Sequence, residues 1–163
     1  MEPSQQPTRL TVPAWFVVLL SVVSIIGFLD ATYLTVNHVL LGSTPCTLLK
    51  GCEIVTSSIY STVFGIPIAL FGALFYLTIL LLALWYLDSR QSWALLVVAY
   101  LSIPAVVVAV ILVGLQAFVL KAFCLYCLIS ALASSIIFIL GMSYLVLFRK
   151  VYDCRLIFSL VLS

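Results

Sequence analysis

"CLYCLISALASSIIFILGMSYLVLF", residues 124–148, carries no charged side chain and opens on two cysteines three positions apart. A bilayer-spanning helix needs about 20 predominantly apolar residues, and this run exceeds that length. It lacks the alternation of a membrane barrel strand, so in lipid its backbone can be satisfied only as a helix. Three more runs share this character: about 13–37, with Asp30 as its single charge, about 63–87, and about 93–120. The expected fold is therefore all-α and integral to a membrane, a bundle of four transmembrane helices with an extracytoplasmic loop between the first two.

Composition agrees. The chain has 163 residues, 66% hydrophobic and 7% charged, whereas soluble domains carry roughly a quarter charged residues. So few charges cannot cover a water-facing surface. A net charge of +2 without a basic cluster gives nucleic acid nothing to bind. The first run is too long for the apolar core of a signal peptide and no small-residue cleavage site follows it, so it reads as a retained helix.

The cationic residues set an orientation. Arg9, Arg90, Arg149, Lys150 and Arg155 fall on one side, Lys50 and Lys121 on the other. Both termini and the "LDSRQS" turn are thus expected in the cytoplasm of a multi-pass cell-membrane protein. Residues 38–62 and the start of the fourth helix then face outward. Residues 1–12 read as a polar lead, 13–148 as the membrane domain and 149–163 as a tail. The short connection at residues 88–92 makes helices two and three antiparallel neighbours.

Five cysteines occur. Cys46, Cys52, Cys124 and Cys127 fall at the outer face under this topology, and Cys154 lies across the bilayer from them. At a helix N-terminus Cys124 meets unpaired N–H groups and the positive end of the helix dipole, which favour thiolate. Cys127 lies one turn on, toward lipid. Such a pair can meet a thiol on one side and a lipid-soluble electron acceptor on the other. The residues alone also allow two buried small side chains or half a zinc site. A Cys46–Cys52 disulfide would close a ring of about seven residues and contribute about 2.4 kcal/mol by the chain-entropy model. That suits exchange more than bracing, although a plain loop brace stays open. Zinc is disfavoured, because Cys-x5-Cys is wider than usual ligand spacing and His38 sits alone at a helix end, so no metal is expected.

Cys46 and Cys52 in an outer loop, "CEIVTSSIYSTVFGIPIALFGALFY" at 52–76 and "FCLYCL" at 123–128 resemble the vitamin K epoxide reductase family, particularly its prokaryotic members. The resemblance runs from about Gly27 to Phe148. It implies a four-helix bundle around a quinone, menaquinone, ubiquinone or a similar one. It also implies a role for each cysteine: Cys127 passing electrons to the quinone, Cys124 pairing with Cys127 and exchanging with Cys52, and Cys46 exchanging with an external redox protein. Ser58 matches a serine near the active cysteines, and Phe71, Phe75, Phe123 and Leu128 are candidates to line the quinone pocket. Animal members carry a tyrosine and an asparagine where this chain has Ala131 and Ile68, which favours a respiratory quinone over vitamin K epoxide. Many bacterial members carry a fused thioredoxin-like domain; none is recognised within these 163 residues, so the expected partner is a separate thioredoxin-fold, DsbA-like protein. Quinone-epoxide reduction and a non-catalytic scaffold with a structural loop disulfide are the alternatives. Asp30 inside the membrane reads either as a proton-handling group or as a carboxylate turned to the interface.

Overall fold

A computed structural model of the chain describes residues 12–41, 61–63 and 65–161. Helix α1 spans Ala14–Leu41, α2 Ile68–Ser89, α3 Ser92–Gly114 and α4 Leu125–Val161. Leu115–Leu120 continues α3 as a π-helical turn, and strands β1 (Thr62–Val63) and β2 (Ile66–Pro67) precede α2. Cys46, Cys52 and Ser58 lie outside the described residues.

Each of the four helices is long and apolar enough to cross a membrane. Their apolar residues run all round rather than along one stripe, the pattern of helices in lipid. Large side chains such as Leu29, Leu74, Val110, Leu132 and Ile139 point outward. The interior mixes large side chains such as Tyr76, Tyr86 and Ile137 with many small ones, among them Ala73, Ala83, Ala94, Ala99, Ser102 and Ala133. Lipid supplies no hydrophobic drive between helices, so association rests on close backbone approach and interhelical hydrogen bonds.

Helix α1 packs most extensively on α2, and α3 on α4; α1 against α4 closes the bundle, and of these adjacent pairs α2 and α3 touch least. Gly141 of α4 shows how near two backbones come, since a Cβ there would lie 2.8 Å from the Ala99 Cα. Gly141→Ala is therefore expected to push α3 from α4 and lower stability by about 1–3 kcal/mol, the usual range for overpacking. Thermal unfolding in detergent measures it.

Two boundaries differ from those expected from hydropathy. Helix α2 begins at Ile68 rather than near Val63, because Thr62 and Val63 pair antiparallel with Pro67 and Ile66. Gly65 supplies the positive φ of 78° in that turn. The proline disfavours helix at the residue before it, and Pro67 itself is extended (ψ 131°) at the N-cap. Helix α4 does not stop near Phe148 but continues to Val161, since "RKVYDCRLIFSLV" contains neither glycine nor proline to end it.

Arg90 and Lys121 hold φ values of 52° and 49°. Each closes a helix, and the Arg90 N–H bonds the Tyr86 carbonyl at 2.9 Å. After Lys121 the chain reverses directly into α4. The CLYC cysteines, the hairpin before α2 and the end of α1 consequently share one end of the bundle.

Candidate functional site

Cys124 is the N-cap of α4. Its carbonyl accepts the Leu128 N–H at 3.1 Å, and its Sγ accepts the Cys127 N–H at 3.4 Å. A sulfur here stands where serine or aspartate oxygens usually cap a helix. Cys124 is fully buried and Cys127 half-buried, and both thiols are free.

Three hydrogen-bond donors act on the Cys124 sulfur. The Cys127 thiol contributes most, followed by the Cys127 and Tyr126 amides; together they outweigh burial and the nearby Asp30 charge and lower its pKa to about 7 from 9.0. The thiolate is present above that pH and is lost as pH falls through it. Ultraviolet thiolate absorbance should therefore titrate with a midpoint near 7 for Cys124. In Cys127→Ala the midpoint should rise toward the ordinary thiol value, because the largest cause is gone.

The turn before Cys124 is organised by Gln116, which is 2% exposed. Its backbone carbonyl accepts the N–H of Lys121, closing the π-turn, and that of Ala122 at 3.2 Å. Its side-chain Oε1 accepts the Cys124 N–H at 3.3 Å. Because an amide N–H can only donate, the Oε1 end must face Cys124, leaving the Nε2 hydrogens for the other side, where the side chain hydrogen-bonds the Cys127 thiol. One amide thus touches both cysteines. A single π-turn inside an α-helix often marks a functional site.

Cys127 forms part of the wall of a cavity of about 370 Å³. All four helices contribute, for example Ala31 and Leu34 from α1, Phe75 from α2, Pro104 from α3 and Ser130 from α4. Phe71 of α2 and Val108 of α3 line the cavity while half exposed, at 50% and 47%. The cavity therefore opens laterally toward lipid between α2 and α3, the adjacent helices that touch least. Toward the CLYC end its wall includes His38 and Ser61. Both therefore stand at the same cavity as Cys127.

Of the sequence-derived pocket residues, Phe71 and Phe75 line the cavity, as do Ile68 and Ala131. Phe123 is 47% exposed and, like Leu128, is not in its wall. Phe123 lies in the connection before α4, where it points away from the bundle. Leu128 is one residue past Cys127, a step of about 100° around a helix of 3.6 residues per turn. Among the described residues no cluster of potential metal ligands occurs.

Beyond Cys127 the cavity wall meets a polar network that hydropathy did not reveal. Ser130 Oγ donates to Asp30 Oδ2 at 2.6 Å. Tyr76 Oη donates its only hydrogen to the Ser130 carbonyl at 2.6 Å. Its 2.8 Å contact with Ser134 must then be donated by the serine. Every hydrogen has one direction, and the chain of bonds joins α1, α2 and α4. Gly27 makes the join possible: a Cβ there would lie 2.6 Å from the Tyr76 ring. The sequence did carry signals for these groups. Gln116 is the one amide in the run 93–120, and Ser130 and Ser134 are spaced to share a helix face.

No curated protein matches the chain. The model of the vitamin K epoxide reductase family matches residues 18–142, a span that takes in most of α1, all of α2 and α3, and the part of α4 that carries CLYC. With four membrane helices, and with Cys127 of the cysteine pair in the cavity wall, this chain belongs to the vitamin K epoxide reductase family and is a membrane thiol oxidoreductase.

Proposed function

We propose that this protein passes electrons from a separate thioredoxin-fold protein through Cys46 and Cys52 to Cys124 and Cys127, and from there to a quinone, in support of disulfide formation. The observation that carries this reading is the position of Cys127: one turn into α4, in the wall of an apolar, lipid-open cavity, with its partner Cys124 capping the helix beside it. The proposed side of the membrane is the extracytoplasmic one for CLYC and the cytoplasmic one for the termini, from the distribution of lysine and arginine.

The cavity suits a quinone. Small-molecule sites are mostly apolar, about 300–1,000 Å³, with a few placed polar groups, and this one holds about 370 Å³. Its lateral opening between Phe71 and Val108 gives an apolar tail a way out to lipid. Ile68 and Ala131 in its wall are apolar where animal members have hydrogen-bonding side chains, which fits a respiratory quinone. A bound quinone supplies an acceptor for two electrons and two protons.

The chain's own residues do the rest. Gln116 fixes the turn so that Cys124 meets Cys127 within one helical turn. The donors around Cys124 hold it as thiolate near neutral pH, the form that exchanges with a disulfide. Apolar walls keep water from Cys127. His38 and Ser61, which precede and follow Cys46 and Cys52 in the chain, both line this cavity, which supports exchange between Cys52 and Cys124.

The direct test is quinone-dependent oxidation of a DsbA-like protein by the purified enzyme, with Cys46, Cys52, Cys124 and Cys127 each changed to alanine. All four variants should lose that activity. Retention of it by any one of them would remove that cysteine from the path.

A further inference from the structure

The two CLYC thiols, on becoming a disulfide, release two electrons and two protons, and a quinone becoming a hydroquinone takes up both. The electrons leave through sulfur. The protons need a route inside an apolar site, and the network at Ser130 lies where such a route would run.

Three observations converge there. Ser130 lines the same cavity as Cys127 and, three residues later on α4, shares its helix face. Its Oγ is 2.6 Å from Asp30 Oδ2, and Asp30 lies close enough to act electrostatically on both Cys124 and Cys127. Tyr76, though nearer the cavity, is no rival carrier: its hydrogen is committed to the Ser130 carbonyl and its oxygen to Ser134. A carboxylate kept within a membrane helix against a serine, with no cation beside it in the described residues, is expensive and needs a reason.

Resting on the quinone reading above, we propose that Asp30 and Ser130 form the proton relay of the site. The Asp30 carboxylate takes up a proton released by the CLYC dithiol, with Ser130 Oγ as the intermediate carrier, and returns it by the same hydroxyl to the reduced acceptor. Across a turnover Asp30 gains one proton, that of the Cys127 thiol, and loses it to the reduced acceptor; the acceptor's second proton comes from water and replaces the one Cys124 gave up on becoming a thiolate, so two protons leave sulfur and two are taken up. Tyr76 and Ser134 serve as the clamp that fixes Ser130. The other titratable groups near Asp30 are Tyr76 from α2, Tyr33 on α1 itself, and Cys124, Tyr126 and Cys127 at the start of α4.

The test compares Asp30→Asn, Asp30→Glu, Ser130→Ala and Ser130→Thr in the full-length protein. Asp30→Asn and Ser130→Ala should slow single-turnover quinone reduction by about 100-fold or more, the scale of general acid–base catalysis. Asp30→Glu and Ser130→Thr should restore much of the rate. A second readout needs no quinone. Infrared difference spectra between the dithiol and disulfide forms should show a deuterium-sensitive carboxyl band in the wild type, absent in Asp30→Asn. Rates within about twofold of wild type for Asp30→Asn, or an unchanged infrared band, would overturn the relay and leave the quinone reading standing. A wild type that shows the band but never reduces quinone would instead refute the quinone reading and keep Asp30 as the proton acceptor of the dithiol.

Discussion

Cys127→Ala is expected to bring quinone reduction by a small dithiol down to the protein-free background, while Cys46→Ala retains it and loses only oxidation of the protein partner. The contrast follows from where each sulfur stands. Cys127 is in the cavity wall, whereas Cys46 belongs to the loop proposed to face the partner. A covalent catalyst stripped of its reacting atom keeps little beyond binding, so the loss should be several orders of magnitude. Cys124→Ala should be nearly as severe in multiple turnover, because Cys127 alone cannot close a disulfide with its neighbour. Stopped-flow following of quinone absorbance, with a membrane-permeant dithiol as donor, separates the three. Equal losses in Cys46→Ala and Cys127→Ala under these conditions would mean that the loop pair, not CLYC, faces the acceptor.

Substitution of Gln116 is expected to have the next largest effect, and two variants divide its roles. Gln116→Leu removes the acceptor of the buried Cys124 N–H, a group whose desolvation costs about 1–3 kcal/mol when left unpaired. It also frees the turn that aims CLYC, and a misplacement of about 1 Å at a reacting group can cost about 100-fold in rate. Gln116→Glu keeps an oxygen toward Cys124 but gives up the donor toward Cys127 and adds negative charge beside the thiolate. That variant should fold with near-native stability, raise the Cys124 midpoint above about 7, and reduce quinone more slowly at neutral pH, recovering as pH rises. A residue that only packed the turn would show no such pH shift. Thermal unfolding and thiolate absorbance, measured on the same samples, check both halves.

The four-helix architecture was legible because lipid imposes a length and a composition on every span, and the runs beginning near 13, 93 and 124 end or start within a few residues of the observed helices. The start of α2 was not, since hydropathy counts Val63 and Ile66 as helix material and cannot see that a glycine at 65 and a proline at 67 turn them into a hairpin. The position of Cys124 at a helix N-terminus could be read from the onset of the apolar run. Its cap geometry and the donors that lower its pKa follow from that same placement.

The polar interior was harder. Asp30 could be read as an intramembrane acid, but its partner sits 100 residues away at Ser130, and no local pattern links them. Gln116 looked like one polar residue in a long apolar helix. Only the π-turn, which adds a residue to the helical repeat and rotates the amide toward both cysteines, gives it a task. Phe123 and Leu128 were candidates together with Phe71 and Phe75, because periodicity does not distinguish pocket from core; a step of one residue along a helix changes direction, so Cys127 lines the cavity and Leu128 beside it does not.

The most direct measurement of the electron path is a single-turnover stoichiometry. Fully reduced protein is mixed with an equimolar amount of a soluble quinone, quenched with acid and alkylating agent, and each cysteine's state is read by peptide mass spectrometry. Transfer from CLYC requires one hydroquinone per protein, a Cys124–Cys127 disulfide as the first oxidised species, and Cys46 and Cys52 still alkylated at the earliest times. Hydroquinone appearing while Cys124 and Cys127 remain free thiols would contradict it.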